Sequence, residues 1–488
     1  MKLFAGKAKD RPDALFLFFV QGEKGLSKTA QEIDKLSKGG VKRLFELGFK
    51  ASRKDAEILV LASGRWPLAV LLGLGERKDL DGERFREAAA AGLRRLSRYH
   101  VKRIEIELID LKNSLLSLEE QARAVGEACF FAGYRYSEFK KREDKSPSEI
   151  WIEGGKTLAP AILKKARTVG EEHCFVRDLA SKPGSELWPE KFAEIAADSA
   201  AQFGLEIKIY DDQALEAMGY NGILRVGQGS KRKARLAELR YNGGGAAKPL
   251  IGLVGKGVTF DTGGISLKTP QGMEQMKGDM TGAAVVLGVM RAASRLGLKQ
   301  NLVAVLPLVE NMPGGNAQRP GDILRMADGT TVEVISTDAE GRLILADGLY
   351  HCRTFKPSKI VDIATLTGAC TIALGRHAIA LMGTDEELMS KLSQAGIAAG
   401  ERCWVMPLWD DYKEMIRGEV SDLRNVGKGR EAGTIIGGMF LKHFVKDTPW
   451  AHLDIASTDW SEDNHPYLGR GPTGKGLRLL VRFLESME

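Results

Sequence analysis

The sequence predicts an α/β protein of two domains: a smaller amino-terminal α/β domain, and a larger one with a mainly parallel sheet covered by helices on both faces. Three observations predict it. At 488 residues the chain exceeds the size at which a single core usually splits. Short apolar runs alternate with helically periodic segments along its length, the pattern of strands joined by crossover helices. Hydrophobic content of 43% and charged content of 28% are ordinary globular values, enough for a large core.

In the first 150 residues, 15–20, 58–62, 69–72 and 104–108 read as strands, and 29–36, 82–99 and 118–135 as helices. Leu72-Gly73-Leu74-Gly75 lacks the third glycine and the acidic partner of a dinucleotide site and reads as a turn. The polar stretch 140–148, with Pro147, suits a surface connection. A helix over 163–175 then leads into the second domain, giving boundaries of 1–150, a linker helix within 151–175, and 176–488. Residues 178–183 read as a turn, 189–203 as an amphipathic helix opening on proline, 207–210 as a strand and 211–218 as a short helix. Beyond them, 250–255, 281–296, 302–308, 342–355, 359–366, 386–399 and 453–456 continue the alternation. Ligands of such a sheet gather at the carboxyl ends of its strands.

Lys and Arg number 71 against 64 Asp and Glu, a formal net charge of +7. The excess is mild and scattered, as in Lys140–Lys145, and no nucleic-acid-binding motif appears. Five cysteines without a Cys-x-x-Cys pair read as free thiols in a reducing compartment. The apolar run near the amino terminus lacks a small-residue cleavage site, and no run approaches the roughly 18 residues of a membrane span; 57–74 is broken by Arg65 and Pro67. A cytoplasmic protein is expected, with no membrane partner.

The chemistry concentrates in three places. Lys256, Asp261 and Lys268 follow the apolar run 250–254, Asp279 opens a helix, and Asp338, Glu340 and Arg342 lie in Ser-Thr-Asp-Ala-Glu-Gly-Arg over 336–342. In an extended backbone these last three would share one face. Taken alone, such a trio is more often a solvated turn. Together the residues can converge at one sheet edge, where four carboxylates demand positive charge. Two readings meet that demand: a two-metal site bridged by shared carboxylates, or a buried salt network with the two lysines and Arg342.

Residues 255–264, the helix opening at 276–282 and Thr-Asp-Ala-Glu-Gly-Arg-Leu at 337–343 resemble, in order and spacing, the leucyl aminopeptidase family of dinuclear metallopeptidases, the cytosol aminopeptidase type. So do Glu310-Asn311-Met312-Pro313, Arg319-Pro320-Gly321-Asp322 and Thr365-Leu366-Thr367-Gly368-Ala369. The resemblance spans about 170–485. It departs at Ser336, where the family has asparagine, which bears on local hydrogen bonding.

The resemblance implies two divalent cations per subunit, Mn2+ or Zn2+. Asp261 and Glu340 would bridge them, Lys256 and Asp279 would complete one shell, and Asp338 would serve the other. Lys268 would stabilise the oxyanion and Arg342 would hold a bicarbonate acting as general base. Met276, Thr365 and Gly368 would line the pocket for the first side chain, with 438–440 nearby, favouring leucine- or methionine-like residues. Activated water would then release amino-terminal residues from peptides with a free amino terminus. A homohexamer is also implied, with the first domain serving assembly.

The seven histidines include no His-Glu-x-x-His pair. Gly469–Gly476 lacks the Ser or Thr of a phosphate loop and reads as a turn before a final helix over 477–484. The alternatives are a DNA-binding architectural or regulatory role, as in some family members, and a two-metal phosphoesterase.

Overall fold

A computed structural model describes residues 1–23, 25–111, 116–140, 146–154 and 158–488. The chain forms two compact units, 1–174 with 462–470, and 175–461 with 471–488. The charged run 140–145 lies outside the described residues except for Lys140.

The first unit holds β1 (Lys2–Ala5), β2 (Ala14–Phe19), β3 (Ala56–Val60), β4 (Leu68–Gly73), β5 (Arg103–Glu107) and β6 (Glu149–Glu153), in the order β1-β6-β5-β2-β4-β3. Only β3 with β4 is antiparallel among these pairings. β2 is buried on both faces, and its alternate residues feed two cores. Phe16 and Phe18 pack with Phe85, Ala88 and Val125 from the helices Gly82–Leu96 and Leu118–Gly133. Leu15, Leu17 and Phe19 pack with Ile33, Val41 and Phe49 on the other side. Of the Gly-x-Gly expected as a turn, Gly73 instead ends β4, and Gly75 follows it with a positive φ of 82° and an N–H that donates to the Ala51 carbonyl.

The second unit contains β7 (Glu206–Tyr210), β8 (Arg235–Asn242), β9 (Leu250–Gly255), β10 (Gly257–Asp261), β11 (Asn301–Asn311), β12 (Ile323–Arg325), β13 (Thr331–Glu333), β14 (Lys359–Ala364), β15 (Ile379–Gly383), β16 (Cys403–Val405), β17 (Leu423–Arg424) and β18 (Trp450–Asp454). A short ribbon follows, β19 (Trp460–His465) with β20 (Gly469–Pro472). The main sheet runs β16-β15-β18-β14-β9-β11-β8-β7, with β10 beside β11. Its centre is parallel: β18 with β14, β14 with β9, β9 with β11, and β10 with β11. Antiparallel pairs lie outside that centre, at β8/β11, β7/β8 and β15/β18. Helices Thr281–Leu296 and Gly341–Thr354 pack on the central strands, the second together with Gly433–Val445. The central strands therefore read as continuous apolar runs.

Two expectations are corrected. The helix expected over 163–175 is Pro160–Ser181, so most of the turn expected at 178–183 is helix. Val176–Ser181 contains no breaker, and the chain leaves the helix before Pro183. The segment 338–342 is not extended. Residues 337–338 form a turn, and Glu340 has helical angles, φ −77° and ψ −36°, immediately before Gly341–Thr354. The strand before them, β13, belongs to a separate three-stranded sheet with β12 and β17.

Candidate metal centre

Parallel strands of one sheet end side by side, so residues far apart in sequence meet at their carboxyl edge. Lys256 follows β9, Asp261 ends β10, Asn311 ends β11 and Thr365 follows β14. A register irregularity between β10 and β11 at Val258/Asp261 turns the end of β10. Asp279 follows the 3-10 turn Met273–Gly278, while Glu340 and Arg342 sit at the start of Gly341–Thr354. Asp338 is brought in by the turn between β13 and that helix.

With Lys268 from the segment between β10 and the Met273–Gly278 turn, the charged residues meet in two groups rather than in one knot. Lys256 Nζ lies 2.8 Å from Asp279 Oδ1 and 2.9 Å from Glu340 Oε1, and donates to the Thr365 carbonyl at 2.9 Å. Lys268 Nζ lies 2.8 Å from Asp261 Oδ2 and 2.5 Å from Asp338 Oδ1. Asp261, Asp338 and Glu340 each offer an oxygen within 4.8 Å of the others, which joins the two groups. Close packing of the first group depends on Gly341, where a Cβ would stand 2.5 Å from Lys256 Cε. Gly263, with φ 86°, brings its N–H to Asp261 Oδ1 at 2.8 Å.

Four carboxylates face two lysines, and the lysines do not satisfy them. Among the described residues, Asp279 Oδ2 and Glu340 Oε2 are buried without a hydrogen-bond partner. Burial, with repulsion from Glu340 and Asp261, holds Asp279 well above the usual carboxylate range despite Lys256. Burial and Asp261 likewise raise Glu340, and burial raises Asp338 despite Lys268. Burial would pull both lysines down, but the surrounding acids hold them above their ordinary value. Buried acids in excess of their counter-charge, with free oxygens pointing inward, are a donor set suited to divalent cations. Of the two readings open in the sequence, the salt network exists but leaves the cluster short of positive charge.

Arg342 stands apart from this exchange. It has no carboxylate partner among the described residues; Nη1 donates to the Asn425 carbonyl at 2.7 Å, and Nε is buried without a partner. Burial lowers it to about 10, with Glu340 and Asp454 opposing. An unfilled guanidinium donor suits a small anion.

Around the centre, Thr365 Oγ1 donates to Asp279 Oδ1 at 2.7 Å. Met276 is half-buried, and a Cβ on Gly368 would meet nothing within 4 Å. The stretch 438–440 turns inward instead: a Cβ on Gly438 would strike Met382 and Leu408, and Met439 and Phe440 are core. Gly437 is the neighbour of Leu366, Thr367 and Arg342.

Two supporting residues have no role assigned from the sequence: Asn311, quoted only within the family resemblance, and Asn425. Asn311 Nδ2 donates to Asp261 Oδ1 at 2.8 Å and to the Thr337 carbonyl at 3.1 Å. Fully buried Asn425 accepts from Ile335 N–H at 2.8 Å and donates to the Ser336 carbonyl at 2.6 Å, besides receiving Arg342. Asn311 was findable, as a polar residue ending an apolar strand. Asn425 lies in an irregular segment with no such signal. Ser336 accepts from Asp338 N–H through Oγ at 3.3 Å.

Comparison with known proteins decides the family. Residues 174–481 match the model of the cytosol aminopeptidase family catalytic domain, and 15–143 that of the family's N-terminal domain. The chain belongs to the cytosol aminopeptidase family. A probable cytosol aminopeptidase of Geotalea uraniireducens (strain Rf4) is 39% identical over 484 residues, 96% of each chain. One from Syntrophotalea carbinolica (strain DSM 2380 / NBRC 103641 / GraBd1) is 43% identical over 444 residues, 89% of each. The solved structure of the bottromycin maturation enzyme BotP in complex with Mn aligns with a TM-score of 0.86 at 33% identity, covering 98% of this chain and 99% of that one. This member of the cytosol aminopeptidase family is thus a metal-dependent aminopeptidase, a hydrolase acting on peptides. Among the described residues no helix is long and apolar enough to cross a membrane.

Proposed function

We propose that this aminopeptidase uses two divalent cations, Mn2+ or Zn2+, held by Lys256, Asp261, Asp279, Asp338 and Glu340. The observation that carries the reading is the pair of buried, unpartnered oxygens, Asp279 Oδ2 and Glu340 Oε2, within a cluster whose acids outnumber its lysines. Asp261 and Glu340, whose oxygens join the two lysine groups, would be shared by both cations; Lys256 and Asp279 would serve one and Asp338 the other. When bound, the cations polarise the scissile carbonyl and lower the pKa of water.

The chain's own groups do the rest. Lys256, now 2.8 Å from Asp279 and 2.9 Å from Glu340, would have to give up a proton and present a neutral amine in order to ligate. Lys268, on the more open side, neutralises charge developing on the carbonyl oxygen. Arg342, with Nε unfilled, holds bicarbonate, a general base. Met276, Thr365 and Gly368 line the pocket of the first side chain, favouring leucine- or methionine-like residues. Selectivity is broad, because each methylene is worth only about 1–3 kcal/mol. Substrates need an unblocked amino terminus. The chain works as a cytoplasmic homohexamer, its first unit serving assembly.

Glu340→Ala tests the centre. Hydrolysis of leucine p-nitroanilide should be lost together with bound metal measured by mass spectrometry; full turnover in this variant would refute the assignment.

A further inference from the structure

Beside the turn that carries Met276 and Asp279 lies a carboxylate with no part in the centre described above. Asp459 follows β18 in a tightly pinned turn: its N–H donates to the Ile455 carbonyl at 2.8 Å, its carbonyl accepts from Thr473 N–H at 2.7 Å, and Thr473 Oγ1 donates to the Thr458 carbonyl at 2.6 Å. Asp454, the last residue of β18, ties this turn to the 365–368 loop. Its carboxylate accepts from Leu366 N–H, Ala456 N–H and Thr367 Oγ1.

The side chain of Asp459 is half-buried and lies beside Gly278. A Cβ on Gly278 would find only Thr281 Oγ1 at 3.9 Å and Asp459 Oδ2 at 4.0 Å, and one on Gly368 would find nothing. The acid therefore faces the same turn that presents Met276. Among the described residues it has no ion pair and no hydrogen bond to another side chain. It meets only backbone N–H groups, its own and that of Trp460. Arg376, whose guanidinium donates to the Trp460 carbonyl at 3.4 Å, acts on it from a distance. Burial and the nearby Asp454 push Asp459 up to about 7. A half-buried carboxylate without a counter-ion beside it is stabilised by a cation delivered to it.

Lysine and arginine side chains join a methionine-like aliphatic stem to such a cation. We propose that Asp459 is a specificity-determining residue of the first-side-chain pocket, recognising amino-terminal lysine and arginine, so that selection extends from aliphatic to cationic side chains. The proposal rests on the reading of Met276, Thr365 and Gly368 as that pocket. Without the acid, a cation entering an apolar pocket would lose its hydration for nothing. With it, the stem packs on Met276 and the charge is matched.

The test uses the manganese-loaded full-length enzyme and its Asp459→Asn variant, comparing kcat/KM for lysine and leucine p-nitroanilides. The ratio of the two is independent of the active fraction. We expect the lysine-to-leucine ratio to fall by roughly tenfold or more in Asp459→Asn, as for loss of a charge-assisted contact. An active variant with an unchanged ratio overturns the proposal. Should the variant be inactive on both, competition in the wild type decides: lysine amide must inhibit leucine hydrolysis more strongly than norleucine amide, and equal inhibition overturns the proposal. A wild type inactive on every substrate would overturn the peptidase reading instead.

Discussion

The two lysines of the centre occupy contrasting surroundings. The side chain of Lys256 is 3% exposed and its partners Asp279 and Glu340 are 8% and 2% exposed, whereas Lys268 is 24% and its partner Asp338 36% exposed. A fully enclosed ammonium between two acids is costly to leave half-made, while one at the mouth of a cleft can exchange partners with solvent or substrate. Under the proposed assignment the contrast divides the labour: the closed end would keep a held group, and the open end one that arrives and leaves.

Replacing each lysine by alanine should break the symmetry between them. In metal-free protein Lys256→Ala strands Asp279 and Glu340, with an expected loss of about 3–5 kcal/mol in urea unfolding. Lys268→Ala should cost less, because Lys268 and its partner Asp338 are partly open to water, although Asp261 is buried. With metal supplied the order reverses in kind. Lys268→Ala should retain near wild-type metal content while kcat falls about 10²–10³-fold, the scale of a lost oxyanion contact. Metal loss in Lys268→Ala, or full metal retention in Lys256→Ala, would mean that the two ends have been assigned the wrong way round.

A smaller effect sharpens the same comparison through the supports. Asn425→Ala removes the clamp on Ile335, Ser336 and Arg342 without touching a proposed ligand. It should lower kcat/KM about 10–100-fold, in the range for outer-shell partners. Because it acts through Arg342, added bicarbonate should recover part of the loss; Asn311→Ala, which acts through Asp261, should lower metal affinity instead. Equal responses of the two variants to bicarbonate would remove that distinction.

The last contrast is a buried acid without any lysine. Asp347 lies on the helix that carries Arg342; its Oδ2 accepts from Ile223 N–H at 2.9 Å, Oδ1 has no partner, and burial raises it to about 8. Its folded-state pKa exceeds the roughly 3.9 of an unfolded aspartate, so between those values the native state keeps a proton that the unfolded chain has lost. Stability must therefore decline as pH rises from about 4 to about 8. Asp347→Asn should flatten that decline in Tm measured against pH. An unchanged slope would show that Asp347 is ionised in the folded protein.

Much of the fold was legible because its strongest signals are local. The helices Pro189–Phe203, Thr281–Leu296 and Glu386–Ala399 and the strand Leu250–Gly255 were expected with those same limits. Each is bounded by a strong local signal: Pro189 at a helix start, Gly204, Gly297 and Gly400 in left-handed caps, and Gly255 at a strand end. Strands such as β1, β8 and β16 escaped because short edge or polar-faced strands take their stability from pairing rather than from pattern. The 336–342 segment was misjudged for a related reason. Its i, i+2, i+4 spacing suits an extended chain, but Gly341–Thr354 begins within it because the helix packs on the central sheet.

What the sequence determined by itself was the kind of chemistry: which carboxylates and lysines follow apolar strands, and hence that positive charge is required among them. Those are properties of residue type and order. Only the tertiary structure decided how the charges divide, because depth beneath the surface and distance across strands are set by packing. It placed Lys256 in the closed group and Lys268 in the open one, left Arg342 without a carboxylate, and set Asp459 beside the turn of Met276. No local pattern encodes which buried acid ends without a counter-ion, since that depends on every neighbour folded against it.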